Sequence, residues 1–210
     1  MSDAFATRPA IAATQLAQLR ELLSALLPAN PFYSRKLRGA GVTADIASLE
    51  EFCRRTPFTF KPEITADQEK HPPYGTNLTY PLERYTRFHQ TSASTGRPIT
   101  WLDTPESWAW MVRNWKEVYR AAGVTGADRV FFAFSFGPFI GFWMAFEAAK
   151  ELGCLCFPGG GLSSAARLRL ILDHGVTVVC CTPTYALRLV EVAVEERLIM
   201  ARSKVKALIL

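Results

Sequence analysis

Between Val130 and Leu210, four short apolar runs alternate with three helix-length segments. The runs are Val130 to Phe134, Cys154 to Phe157, Val176 to Cys181 and Val205 to Leu210. They carry β-branched, aromatic and thiol side chains with little polar alternation, as strands buried on both faces do. Pro138 to Leu152 reads as the first helix. Ser163 or Ser164 caps a second that runs to about His174, with Gly175 behind it. Thr182 caps a third, with Pro183 in its first position and its end near Leu198. This β-α-β-α-β-α-β order predicts an α/β fold, a parallel sheet covered by helices.

The segment upstream is a hairpin and a long helix. Tyr85 to Gln90 reads as a strand and Pro98 to Leu102 as its return. Thr104 caps the next helix, with Pro105 at its first position and Gly123 at its end. Trp108, Val112, Trp115, Tyr119 and Ala122 recur on one face of it. Residues 1–75 differ. Leu16, Leu19, Leu23, Leu26 and Leu27 mark a helix over Thr14 to Leu27, which Pro28 and Pro31 are expected to stop. Ser48 to Arg55 reads as a second helix, with Ser48 and Glu51 as a capping box. Pro57, Pro62, Pro72 and Pro73 then predict a loop-rich stretch. The expected organisation is a helical, proline-rich arm over 1–75 and an α/β subdomain over 76–210. No residue follows Leu210 to carry the last strand into a rim loop, so the subdomain is expected to be incomplete at its C-terminus.

Composition excludes several classes. Hydrophobic residues make up 49% and charged residues 20% of the 210, which rules out global disorder. No apolar run approaches the roughly 20 residues of a membrane span. Val130 to Ala149 comes nearest and is broken by Ser135, Gly137, Pro138 and Glu147. The first residues lack the basic and apolar regions of a secretory signal, so a cytoplasmic protein is expected. The net charge of +5, from 24 basic and 19 acidic residues, is spread along the chain, and no nucleic-acid site is expected. The cysteine count is odd (Cys53, Cys154, Cys156, Cys180, Cys181), no pair has C-x-x-C spacing, and His71, His89 and His174 do not cluster with them. No metal site is expected, and a reducing compartment is favoured.

The stretch His89-Gln90-Thr91-Ser92-Ala93-Ser94-Thr95-Gly96-Arg97-Pro98 carries the chemistry. Hydroxyls and backbone amides in such a loop can donate hydrogen bonds to phosphate oxygens, and Arg97 can pair with them. A polar hairpin turn explains the same residues. The Walker spacing is missing and no helix follows. Downstream, Phe134, Phe136, Phe139, Phe142, Trp143 and Phe146 read mainly as core. Phe136 and Phe139 stand where a strand gives way to a helix. Gly159-Gly160-Gly161 is read as a tight turn, and Thr182 and Tyr185 as cap and packing.

Thr91-Ser92-Ala93-Ser94-Thr95-Gly96-Arg97-Pro98 resembles the phosphate loop of AMP-forming adenylating enzymes, [ST]-[ST]-G-[ST]-[ST]-G-[KR]-P. The flanking text resembles one branch, the phenylacetate-CoA ligase-like proteins. It does so through Asn30-Pro31-Phe32-Tyr33, Pro57-Phe58-Thr59 with Lys61, Asp128-Arg129-Val130, Phe134-Ser135-Phe136-Gly137-Pro138-Phe139 and Cys181-Thr182-Pro183-Thr184-Tyr185. The resemblance implies the N-terminal part of the large domain of such an enzyme. It implies that ATP activates a carboxylic acid such as phenylacetate to an acyl-adenylate, which then passes to coenzyme A. It implies that Thr91, Ser92, Ser94, Thr95, Gly96 and Arg97 hold phosphates and that Phe136 and Phe139 line the acyl pocket. ATP, Mg2+ and coenzyme A are the implied cofactors. Ala93 stands where the family has its first loop glycine, and Arg97 replaces the commoner lysine. The family's adenine, ribose, magnesium and catalytic-lysine motifs do not occur in these 210 residues, so no catalytic residue is assigned and a truncated, inactive ligase fragment is expected. The alternative is a non-catalytic α/β module that binds a partner chain, such as a separately encoded second half, or that oligomerises. An unrelated nucleotide-binding α/β protein is the third reading.

Overall fold

The structure, a computed structural model, describes residues 7–91 and 97–210. They form two compact units. One takes the chain up to Phe88 and returns through Leu102; the other begins at His89 and resumes from Asp103 to Leu210. No helix among the described residues is long and apolar enough to cross a membrane.

The first unit is a helical arm of α1 (Arg8–Ala29), α2 (Pro31–Gly39), α3 (Leu49–Arg55) and α4 (Lys61–Lys70). Leu23 and Leu27 of α1 meet Leu37, Val42 and Ile46 in one apolar cluster. Prolines behave differently from the sequence expectation. Pro28 lies inside α1, and Pro31 opens α2. Asn30 serves both helices: its N–H donates to the Leu26 carbonyl while its side chain accepts from the Tyr33 amide. Pro62 likewise sits in the first turn of α4, a helix where a loop was expected, and the Glu63 carboxylate takes the Phe60 N–H at 2.6 Å. In a first turn the missing proline N–H has no intrahelical partner to lose. Ser48 caps α3 as expected, although the Glu51 carboxylate accepts from Ala47 rather than from Ser48. Gln68 of α4 exchanges two hydrogen bonds with the Thr100 backbone.

β1 (Arg87–Gln90) and β2 (Thr100–Asp103) make a two-stranded sheet. Thr104 then caps α5 (Pro105–Ala121). The second unit continues with β3 (Arg129–Phe132), α6 (Ile140–Glu151), β4 (Leu155–Pro158), α7 (Ser164–Asp173), β5 (Val178–Cys180), α8 (Pro183–Glu195) and β6 (Ala207–Ile209). The four strands lie in the order β4-β3-β5-β6 and every pair is parallel. Val130 stands opposite Cys156 on one side and Val178 on the other.

Strand alternation divides the core in two. Val130, Phe132, Val178 and Cys180 pack with Trp108, Val112 and Tyr119 of α5 and Ala145, Ala148 and Ala149 of α6. Phe131, Val179 and Cys181 turn to the other face with Ile171 of α7. Leu168 of α7 packs with Leu189, Val192 and Ala193 of α8. Ala122, expected on the buried face of α5, is exposed; Val124 is buried beyond the turn that Gly123 makes at φ 69°.

Candidate functional site

Ligands of open α/β sheets sit beyond the carboxyl ends of the strands, and here that rim includes the segments that follow β3 and β4. After β3 the chain runs through Ala133 and Phe134 to the corner Phe136-Gly137-Pro138-Phe139 and enters α6. Phe136 packs against Phe132, Phe134, Trp143 and Phe146, with ring centroids 4.8 to 6.3 Å away. Phe139 touches Phe142 at 4.8 Å and is 44% exposed. Phe134 stacks on Phe142 at 3.9 Å. The Trp143 indole donates to the Gly137 carbonyl at 2.8 Å, which fixes the corner. Of the two expected pocket residues, Phe136 is therefore embedded among rings and Phe139 is presented to solvent.

After β4 comes Gly159-Gly160-Gly161. A Cβ on Gly159 would lie 2.6 Å from both the Phe131 ring and the Phe132 carbonyl, so only glycine fits. Arg167 of α7, which the sequence reading did not single out, is buried beneath this rim. Its Nε donates to the Gly159 carbonyl at 3.0 Å and its Nη1 to the Ala133 carbonyl at 2.8 Å. Its guanidinium also lies over the Tyr185 ring, 5.0 Å from the centroid. Tyr185 shares a 2.8 Å hydrogen bond with Ser164, and Thr182 caps α8. Arginine within a helix ordinarily marks a solvent face, and nothing in the local sequence sets Arg167 apart.

Thr91, half-buried, follows β1, and Arg97 is exposed. Ser92, Ser94, Thr95 and Gly96, with Ala93, lie outside the described residues. Just before the loop, the Gln90 N–H donates to the Pro138 carbonyl at 2.8 Å. The strand that leads into the loop is thus fastened to the aromatic corner.

The thiols in and beside the strands are poor nucleophiles. All five cysteines are free. Burial pushes the Cys156 thiol up to about 11 and that of Cys180 up to about 12, where thiolate is scarce at neutral pH. Among the described residues no group of three or more His, Cys, Asp or Glu side chains could hold a metal ion.

No protein-family model matches the chain. Curated relatives do. The phenylacetate-coenzyme A ligase of Escherichia coli K12 is 30% identical over 165 residues, covering 77% of this chain and 36% of that protein. The enzyme of the same description from Thermus thermophilus is 30% identical over 184 residues, 88% of this chain and 40% of its own length. Over most of its length the chain is similar to the phenylacetate-CoA ligases, a branch of the AMP-forming adenylating enzymes. Among solved structures, a 2-hydroxyisobutyryl-CoA ligase in complex with 2-HIB-AMP and CoA in its thioesterification state matches with a TM-score of 0.89 at 28% identity. That match covers 96% of this chain and 43% of that one. The open conformation of that ligase matches at 0.88. The chain spans about two fifths of the length of the curated relatives it matches.

Proposed function

We propose that this chain acts in AMP-forming activation of a small carboxylic acid, with transfer of the acyl group to coenzyme A. Thr91, Ser92, Ser94, Thr95, Gly96 and Arg97 hold the ATP phosphates, and Phe136 and Phe139 belong to the acyl pocket, with Phe139 its accessible ring. Residues 1–75 serve as the arm and 76–210 as part of an AMP-binding-type subdomain. The observation that carries the reading is the Gln90–Pro138 hydrogen bond, which sets the start of a hydroxyl-rich loop beside an aromatic corner at the strands' carboxyl ends. Activation needs a carboxylate and an α-phosphorus held in line, and a phosphate loop adjoining an acyl pocket supplies that orientation. Developing charge on the leaving pyrophosphate is met by hydroxyls, amides and the Arg97 guanidinium. The described residues supply no carboxylate cluster for Mg2+, and no step is assigned to it. Five free thiols fit a cytoplasmic setting.

Because the chain spans about two fifths of its relatives, we further propose that it does not complete adenylation alone. Calorimetry with inorganic pyrophosphate tests the loop: binding is expected to weaken about tenfold in Arg97→Ala and to fall with added salt. Equal affinity in Arg97→Ala would remove the loop from the site. Phenylacetate-dependent exchange of pyrophosphate into ATP, catalysed by the 210 residues alone, would overturn the claim of incompleteness.

A specific observation also favours association with another chain. β6 pairs only with β5 among the described strands, Leu208 is 51% and Leu210 63% exposed, and Leu187, Val190 and Val194 form an exposed apolar stripe on α8. Such an edge and face bind a second copy or a complementing polypeptide. Light scattering at tens of micromolar, roughly where such surfaces associate, is expected to show an oligomer; a well-behaved monomer would count against it.

A further inference from the structure

We infer that Arg167 is a positioning residue for the aromatic corner that would meet the acid, keying it to the glycine turn after β4 and to the first turn of α8. The inference rests on the reading of Phe136 and Phe139 as acyl-pocket residues. β4, β3 and β5 are neighbours in the sheet, and the segments that leave their carboxyl ends converge on this one side chain. Arg167 is 7% exposed. Its Nη1 donates at 2.8 Å to the carbonyl of Ala133, the residue that follows β3. Its Nε donates at 3.0 Å to the carbonyl of Gly159, the residue that follows β4. The guanidinium carbon lies 5.0 Å from the centroid of the Tyr185 ring, in the first turn of α8 beyond β5. Tyr185 is held in turn by its 2.8 Å hydrogen bond with Ser164.

The turn and the corner touch directly as well. The Gly159 N–H donates to the Phe132 carbonyl at 2.9 Å, and a Cβ on Gly160 would lie 3.6 Å from the Ser135 Cα and 3.8 Å from the Phe136 nitrogen. The backbone that carries Phe136 thus rests on the glycine turn, and Arg167 fastens the two from beneath. A cation buried against carbonyls and a ring is a costly way to fill space; an apolar side chain would pack there without desolvating a charge. The guanidinium adds geometry. Its donors diverge at fixed angles in one plane, so the two carbonyls bonded to it have fixed relative positions. Phe134 to Phe139 follow from that joint, and the Trp143 indole closes the corner at the Gly137 carbonyl. A binding group works when held within roughly 0.5 Å of its productive position, and a rigid joint beneath the corner supplies that precision.

Positioning is separated from stability by two readouts on the full chain. One is phenylacetate affinity per folded molecule. The other is the NMR resonance of the Trp143 indole N–H, identified by its loss in Trp143→Phe, which reports the corner without any ligand. Arg167→Lys and Arg167→Gln keep a donor but lose the planar fork. Asp128→Asn lowers stability at the opposite ends of the same strands and leaves the corner alone. Phenylacetate affinity is expected to fall about tenfold in both Arg167 variants, with the indole resonance displaced, and to stay at the parent value in Asp128→Asn. Parent-like affinity and resonance in the Arg167 variants, or an equal loss in Asp128→Asn, overturns the inference. Should neither Arg167 variant fold, Tyr185→Leu decides, since it removes the ring from the guanidinium and spares both carbonyl bonds. A two- to fivefold weaker affinity with a displaced indole resonance is expected there, roughly the worth of one cation–π contact, and no change overturns the inference. If the parent binds no phenylacetate, the acyl-pocket reading itself fails. The indole resonance then decides alone: displacement in the Arg167 variants upholds the hold on the corner, and an unmoved resonance overturns it.

Discussion

The two ends of the four-stranded sheet are held by opposite chemistry. At the amino ends, Asp128, Thr177 and Lys206 each stand immediately before a strand: β3, β5 and β6. The Asp128 carboxylate is buried and takes the Thr125 amide at 2.8 Å, the Thr177 hydroxyl at 2.8 Å and the Lys206 ammonium at 2.9 Å. At the carboxyl ends the charge is a buried cation, Arg167, and its partners are two backbone carbonyls rather than carboxylates. Beyond Arg167 the rim is aromatic and partly open. The amino rim is tied by these mutual bonds and so serves stability. At the carboxyl rim two backbone carbonyls are satisfied from below.

The largest expected effect breaks the carboxyl rim. Arg167→Ala takes the guanidinium donors from the Gly159 and Ala133 carbonyls, of which Gly159 keeps the Leu162 N–H at 3.4 Å, and an orphaned group costs about 1 to 3 kcal/mol. Part of that is recovered because no charge is buried any longer. A net loss of about 3 kcal/mol in urea unfolding is expected. Arg167→Lys is expected to restore little, since one ammonium does not reproduce a planar fork spanning two carbonyls. A loss below about 1 kcal/mol would mean that water replaces the guanidinium and that the rim is not held from beneath.

The amino rim gives a smaller effect with a pH signature. Burial alone would raise the Asp128 pKa, but the Lys206 ammonium, the Thr125 amide and the Thr177 hydroxyl outweigh it and hold the group at about 2, below its ordinary 3.8. The folded state thus binds this proton more weakly than the unfolded chain does. The stabilisation is complete above about pH 4 and is lost as the pH falls toward 2. The shift corresponds to about 2 kcal/mol before discounting; with Lys206 half exposed and screened, about 1 kcal/mol is expected. Urea midpoints from pH 5 to pH 2 measure it, and Asp128→Asn is expected to flatten that part of the curve. An unaltered curve in the variant would show that Asp128 does not carry the acid dependence.

The sheet was legible in the sequence because periodicity and capping agree there. Thr104-Pro105, Ser163 and Thr182-Pro183 open α5, α7 and α8 as their chemistry requires, and the strands overlap the apolar runs, β3 starting one residue earlier and β4 ending one residue later. The arm was less legible because proline carries two meanings. Read as stops, Pro28, Pro31 and Pro62 concealed the end of α1, the whole of α2 and the whole of α4; local spacing cannot show that Asn30 ends one helix and starts the next. The site divides in the same way. The aromatic corner was visible as a cluster. Arg167 owes its importance to tertiary neighbours, namely carbonyls 34 and 8 residues away.

The smallest expected effect on stability sharpens the contrast within the carboxyl rim. Phe136 is braced by four rings, so truncating it removes core and would be read as unfolding rather than as altered recognition. Phe139 has one close ring neighbour in Phe142 and is 44% exposed, so Phe139→Ala forfeits little buried area. A change below about 1 kcal/mol is expected, because the surface it loses is largely wet already. A pocket role predicts a separate loss: an aryl acid that stacks on Phe139 gives up about 0.5 to 1.5 kcal/mol with the ring, roughly a two- to tenfold weakening. Titration of the chain with phenylacetate, followed by NMR line broadening beside an unfolding curve, reads both quantities on one sample. Weaker phenylacetate binding at unchanged stability would place Phe139 at the ligand. Equal binding in parent and variant would return it to the surface, and the rim's upper face would then have to recognise the acid through other groups.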